Sequence, residues 1–237
     1  MKKWTTLQQA LTPDGKPISL HEHDGSFTIK VDGVPLMSTR QHQSEERLAQ
    51  LACAHLRETR GASVLIGGLG FGFTLRAALS MLAADARVLV AELVPAVIDW
   101  NRDASLPLAS GALADPRVAI VQRDVGEVIR DSTAAFDAIL LDVDNGPDAL
   151  SAGSNSKLYD AAGLRSARGA LKPDGCAAYW SVARDAAFET RLAQAGFAVE
   201  VERCRAHGSS GRSHTLFLAR RTAGGAGNPA RGRLSGG

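Results

Sequence analysis

From residue 62 onward, short apolar runs alternate with helix-length amphipathic segments, and that rhythm leaves the chain very few architectures. Strands are expected at residues 63–66, 87–91, 118–121, 136–141 and 176–181. Helices are expected at 74–83, from Pro95, at 125–130 and at 185–195. Pro95 suits a first helical turn, where a missing N–H costs nothing. Repeats of this kind give a mainly parallel sheet with helices on both faces and right-handed crossovers. Residues 197–204 and 214–219 have no helix-forming segment between them, so the chain is expected to end in an antiparallel pair. The expected fold is a doubly wound α/β domain around a mainly parallel, seven-stranded sheet.

Residues 1–43 have a different texture. Ile18-Ser-Leu-His-Glu-His and Ser26-Phe-Thr-Ile-Lys-Val alternate apolar and polar side chains across Asp24-Gly25, a strong hairpin signal. Asp32-Gly33 marks a second turn, so a small antiparallel β element is expected. A helix should open at Ser44, with Ser44 as its cap and Glu45 and Glu46 in the positive first turn. Leu48, Leu51, Ala52 and Leu56 share its apolar face. The expected division is a β element over 1–43, the α/β domain over 44–221, and a tail over 222–237. That tail is rich in Gly and Arg with almost nothing to bury, and is expected to be disordered.

Charge and composition exclude several classes of partner. The formal net charge is +2, and no basic stripe carries interleaved aromatics, so nucleic acid is not an expected partner. No run of about twenty apolar residues exists for a membrane span. Lys2 and Lys3 are not followed by an apolar leader core, and the protein is expected in the cytoplasm. Cys53, Cys176 and Cys204 are far apart and read as reduced thiols in apolar surroundings. His21 and His23 flank Glu22, but no further ligand cluster joins them, so no metal is expected.

Ligands of open α/β sheets sit beyond the carboxyl ends of the strands, so the residues after each strand carry the functional argument. After the first come Gly68, Gly70 and Gly72, which permit close backbone approach and a tight turn into the next helix. After the second comes Glu92, on the order of twenty residues further on, a usual place for a carboxylate that accepts from ribose hydroxyls. As an acid at a strand end in a cleft, it is expected to have little packing role. After the third comes Asp124, which can meet an adenine amino group or cap the next helix. After the fourth come Asp142 and Asp144, two carboxylates so close that they need solvent, hydrogen bonds or a cation. A nicotinamide site would also place an acid after the second strand. Its glycines, however, read G-x-G-x-x-G, whereas here they read G-G-x-G-x-G. The terminal antiparallel pair is instead a feature of S-adenosylmethionine-type transferase domains.

The wording of these motifs resembles the polyamine synthase family, of which spermidine synthase is the type, within the class I S-adenosylmethionine-dependent methyltransferase-like superfamily. Val64-Leu-Ile-Gly-Gly-Leu-Gly-Phe-Gly-Phe-Thr-Leu-Arg76 is similar to that family's glycine-rich nucleoside loop. Phe136-Asp-Ala-Ile-Leu-Leu-Asp142, with Asp144 and Gly146-Pro147 after it, is similar to its catalytic strand and loop. Lys30-Val-Asp-Gly-Val34 is similar to its N-terminal hairpin. The resemblance implies S-adenosylmethionine or its decarboxylated form as co-substrate, without a metal, and a small-molecule amine as acceptor. It implies that Glu92 holds the ribose, that Asp124 meets the adenine amino group, and that Asp142, supported by Asp144, helps deprotonate the amine. A homodimer is an allowed assembly. Phe71 stands where that family has an acid in the glycine loop, Glu45-Glu46 where it has a Tyr-His pair, and Leu36 where it has a hairpin Gln. The expected activity is aminopropyl transfer; the alternatives are methyl transfer and non-catalytic nucleoside binding. His42, Tyr179, Trp180, Asn155 and Tyr159 are further candidates for the acceptor side.

Overall fold

The computed structural model describes residues 3–143, 156–207 and 210–222. Asp144 and Asn155, Gly146-Pro147 and nearly all of the expected tail lie outside the described residues. The described residues form two sheets. The first is an antiparallel meander of β1 (Thr5–Leu11), β2 (Pro17–His23), β3 (Ser26–Val31) and β4 (Val34–Ser38). Both Asp-Gly pairs turn the chain as expected: Asp24 and Gly25 have φ of 53° and 73°, Asp32 and Gly33 of 51° and 77°. Two consecutive positive φ values match the right-handed twist of the flanking strands. The strand β1 lacks a clean alternation and was not legible in the sequence; it pairs along β2 as a largely exposed edge.

The second sheet begins after α1 (Gln43–Cys53). In chain order its elements are β5 (Ser63–Gly67), α2 (Phe73–Met81), β6 (Arg87–Glu92), α3 (Pro95–Arg102), α4 (Ser110–Leu113), β7 (Val118–Gln122), α5 (Val125–Arg130) and β8 (Phe136–Leu141). There follow α6 (Ser156–Tyr159), α7 (Ala161–Ala170), β9 (Leu171–Ser181), α8 (Ala186–Gln194), β10 (Phe197–His207) and β11 (Ser210–Arg221). The seven strands lie in the order β10-β11-β9-β8-β5-β6-β7, parallel from β9 to β7, with β11 antiparallel to β9 and β10. The expected mainly parallel sheet with a terminal antiparallel pair is therefore observed.

Apolar continuity explains the central strands. Val64, Leu65 and Ile66 of β5 and Ile139, Leu140 and Leu141 of β8 are buried on both faces, as a parallel sheet covered on both sides requires. One core layer joins that sheet to α1, α2, α3 and the inner face of the meander through Ile18, Leu20 and Ile29. The other joins it to α5, α7 and α8. Caps end the gaps between elements: Asp124, Asp160 and Asp185 each accept from a backbone N–H at the start of α5, α7 and α8. Helix α1 departs from expectation. It opens at Gln43, and Ser44 does not cap it; Ser44 is buried in the first turn, with its Oγ 2.9 Å from His214 Nδ1 on β11. A hydroxyl in the first turn is available to a distant strand when tertiary packing brings that strand alongside.

Candidate active site

The sheet order reverses between β5 and β8, and a crevice is expected outside their carboxyl ends. Register brings three chain segments there together. Gly67 pairs with Leu141 on one side and with Ala91 on the other, so the residues that follow leave the sheet side by side. Gly68 N donates to Ala91 O at 2.9 Å, and Asp142 N lies 3.3 Å from Gly67 O. Gly68 has φ of 86°, and a Cβ there would sit 2.8 Å from the Asp142 carbonyl oxygen. Only glycine meets both conditions without strain. Gly68→Ala is expected to lower the unfolding free energy by about 1–3 kcal/mol. Urea titration checks this, and an unchanged midpoint would mean that the turn relaxes freely.

Above this edge a cleft opens between the two sheets. Its floor and walls include Gly68, Gly70, Glu92, Asp124 and Asp142, five of the residues singled out from the sequence. Gly72 is not among them: it is the left-handed N-cap of α2, φ 72°, and a Cβ there would run into Ala109. Its glycine is needed for the turn and for packing. The meander supplies the roof through Ile18, Ile29, Val31, Leu36 and Met37. Met37 leans down so far that a Cβ on Gly70 would lie 2.8 Å from its Sδ. This roof was not legible in the sequence, because nothing local says which strand covers which loop.

Glu92 is only 7% exposed and has a structural part that its strand-end position does not disclose. Its Oε2 accepts from Leu69 N at 2.8 Å and its Oε1 from Val94 N at 2.8 Å. The carboxylate thus ties the glycine turn to the end of β6, which corrects the expectation of little packing role. Burial pushes its pKa up, while the backbone N–H groups of Leu69, Val94, Leu93 and Gly70 hold it down. Asp124, half-buried, caps α5 through an Oδ1 bond from Glu127 N at 3.1 Å, and it also borders the cleft. The capping alternative is realised without removing Asp124 from the cleft wall.

Asp142 stands at the end of β8, where Thr74 Oγ1 at the start of α2 donates to its Oδ2 at 3.3 Å. Burial raises its pKa to about 6, against the lowering effect of the Thr74 hydroxyl. Thr74 was quoted only as part of the glycine motif; its hydroxyl falls on Asp142 because β5 and β8 are neighbours. The loop acid position is filled by Phe71, which is 1% exposed and meets Phe73 edge-on at 6.4 Å between ring centroids. His42 stacks on Phe73 at 4.3 Å, and its Nδ1 lies 2.9 Å from Glu46 Oε1. Tyr179 is fully buried among Tyr159 and Phe188, within the core layer. Trp180 packs edge-on against His214 at 4.6 Å. His21 and His23 are apart from the cleft: His21 lies 2.9 Å from Ser19 Oγ, and His23 stacks on Trp4 at 4.7 Å. Among the described residues, no group of three or more His, Cys, Asp or Glu is assembled to hold a metal ion. Nor, among the described residues, is any helix long and apolar enough to cross a membrane.

A doubly wound sheet ending in an antiparallel pair, with a glycine turn and strand-end acids at its switch point, is consistent with the class I S-adenosylmethionine-dependent methyltransferase-like superfamily. Within it, the chain belongs to the spermine/spermidine synthase domain family, whose sequence pattern matches residues 42–194. Among solved structures, a spermidine synthase from Thermotoga maritima is similar with a TM-score of 0.71 at 21% identity, over 91% of this chain and 72% of that one. A spermidine synthase in complex with the transition state analogue AdoDATO has a TM-score of 0.70 at 20% identity, with the same coverage. A probable spermidine synthase from Corynebacterium glutamicum has a TM-score of 0.62 at 18% identity, over 92% of this chain and 79% of that one. A search of curated proteins finds no significant match.

Proposed function

We propose that this chain is a transferase that takes decarboxylated S-adenosylmethionine and moves its aminopropyl group onto the nitrogen of a small amine. The observation that carries this reading is the meeting of Gly68, Gly70, Glu92, Asp124 and Asp142 in one cleft at the switch point of the sheet. The residues suit a sulfonium nucleoside. Leu69 N donates to one Glu92 oxygen and Val94 N to the other, and an ionised carboxylate oxygen can accept more than one bond, so ribose hydroxyls find acceptors there. The Gly68 and Gly70 backbone lets a ligand approach where side chains would stand. Asp124 offers an acceptor to an amino group, and Val125, Val97 and Leu93 offer apolar walls to a base.

The chemistry asked of the protein is modest. It must hold the reacting carbon and the nitrogen in line, exclude water, and leave the nitrogen lone pair free. Asp142 is the base in this scheme: its pKa of about 6 leaves it ionised at neutral pH yet basic enough to take an ammonium proton. The new carbon–nitrogen bond forms as the carbon–sulfur bond breaks. Sulfur keeps that electron pair, becoming a neutral thioether.

A second reading, methyl transfer from S-adenosylmethionine, is favoured by Phe71. A wholly buried phenyl ring in the glycine turn offers no negative charge to the cationic end of an aminopropyl group. Calorimetry against both nucleosides and their thioether products decides between the readings. The aminopropyl reading expects the decarboxylated nucleoside to bind more tightly and, with amines present, to release its thioether. Preferential binding of the carboxylated form, with methyl transfer, would replace it. Binding of neither nucleoside, with NAD bound instead, would remove both.

A further inference from the structure

A second cavity, separate from the cleft, lies where the meander meets the start of α2. It measures about 310 Å³, room enough for a small organic ligand. The meander supplies Gly25 and Phe27 around its first Asp-Gly turn and Thr39 just after β4. The loop after α3 supplies Pro107 and Leu108, and Phe71, Phe73 and Arg76 complete the walls. Among the described residues, none lines both this cavity and the cleft. The two share the glycine turn all the same, because Gly70 lines the cleft and Phe71 lines the cavity.

Arg76 is the charged side chain of this cavity, and it is half-buried. Its Nη1 donates to the carbonyl oxygens of Phe71 at 3.1 Å and Leu108 at 3.3 Å, and its Cζ lies over the Phe73 ring at 4.6 Å. Two bonds and a stacked ring fix the plane of the guanidinium. Among the described residues, its Nε and Nη2 N–H groups have no acceptor, and no carboxylate forms an ion pair with it. The acids whose charge reaches it are Glu46 and Glu45 of α1, and Glu46 lies 2.9 Å from His42 Nδ1. Burial presses the Arg76 pKa down against those charges. A held guanidinium edge with unspent donors matches the two oxygens of a carboxylate.

We propose that this cavity is a binding site for a small monocarboxylate with an apolar body about the size of one ring, its carboxylate held on the Nε–Nη2 edge of Arg76. The walls sort the ligands that fit. Phe27, Phe71, Phe73, Pro107 and Leu108 give an apolar body contact, and the phenyl groups favour a ring. One cation with two acids in range of it suits a single negative charge, not a phosphate dianion. An ammonium of the same size meets the guanidinium charge and is refused. Because Arg76 also holds the Phe71 carbonyl, the occupant rests against the turn whose Gly68 and Gly70 line the cleft.

The test titrates benzoate and benzylammonium into the whole chain by NMR, with neither nucleoside nor turnover, so it stands or falls apart from the transferase reading. Benzoate is expected to bind, with nuclear Overhauser contacts from its ring to Phe27 and Phe73, and benzylammonium is not. Arg76→Lys keeps the charge but not the fork, and should weaken benzoate by about 10-fold or more. Arg76 also ties two loops, so a second variant leaves it in place. Pro107 is exposed at the rim, and Pro107→Glu sets a carboxylate beside the guanidinium. That change should weaken benzoate by a similar factor, while Pro107→Gln should not, with the thermal transition of each variant confirming its fold. The proposal is overturned if benzoate does not bind, if benzylammonium binds as well as benzoate, or if Pro107→Glu leaves benzoate affinity unchanged.

Discussion

Asp142→Asn is expected to reduce turnover by roughly 100-fold or more, the usual scale for losing a general base, while fold and nucleoside affinity are kept. The amide has the same shape and can still accept the Thr74 hydroxyl bond of 3.3 Å, so the start of α2 stays docked to the end of β8. What it cannot do is attract an ammonium group or take its proton. The pH profile supplies a second readout. In the wild type, kcat/KM should rise as pH passes through about 6, where Asp142 loses its proton, and that limb should be gone in the variant. The assay follows release of the thioether product from the decarboxylated nucleoside in the presence of amines. A variant running at near wild-type rate would remove Asp142 from the role of base.

The same group makes a statement about stability. Its pKa in the folded chain, about 6, is raised above the ordinary aspartate value, so the folded state holds the proton more tightly than the unfolded chain. Its contribution is therefore present below the unfolded value and is lost as pH rises through about 6. Keeping this acid ionised at neutral pH costs folding free energy, as function-bearing buried acids commonly do.

Glu92→Ala is expected to weaken nucleoside binding by roughly 1.5–3 kcal/mol, the range for charge-assisted hydrogen bonds. It should also lower stability, because Leu69 N and Val94 N lose the acceptors that now lie 2.8 Å away. Each buried N–H left unmade costs about 1–3 kcal/mol. Glu92→Gln separates the two effects. Its amide oxygen can keep one of the N–H bonds, but its NH2 group then faces the other N–H donor, so the glycine turn loosens at one point only. Calorimetry with the decarboxylated nucleoside measures the first loss, and urea unfolding the second. Full affinity in the alanine variant would exclude Glu92 from the ribose position, whatever happens to stability.

Much of this was readable along the chain. The burial of β5 and β8 follows from their unbroken apolar runs, and both hairpin turns from Asp-Gly pairs. The helix at 125–130 follows from a cap at Asp124 and the apolar residues after it. The strand-end rule then selected Gly68, Gly70, Glu92, Asp124 and Asp142 before any contact was known. These are properties of a few adjacent residues: backbone freedom at glycine, period-two or continuous apolarity, and a side chain able to bond its own helix start.

What the tertiary structure alone decided lies between segments far apart in the chain. Ser44 is a plausible cap by its neighbours, yet its hydroxyl faces His214 on β11, which local pattern cannot foresee. Glu92 looks like a free strand-end acid until parallel pairing of β5 with β6 sets the Leu69 N–H against it. Thr74 follows the glycine turn in the chain, and its hydroxyl reaches Asp142 because β5 pairs with β8. Local propensity is written in a window of several residues. Which carboxylates share a cleft depends on how helices and strands from the whole chain are stacked, and that is fixed by burial of the common core rather than by any one segment.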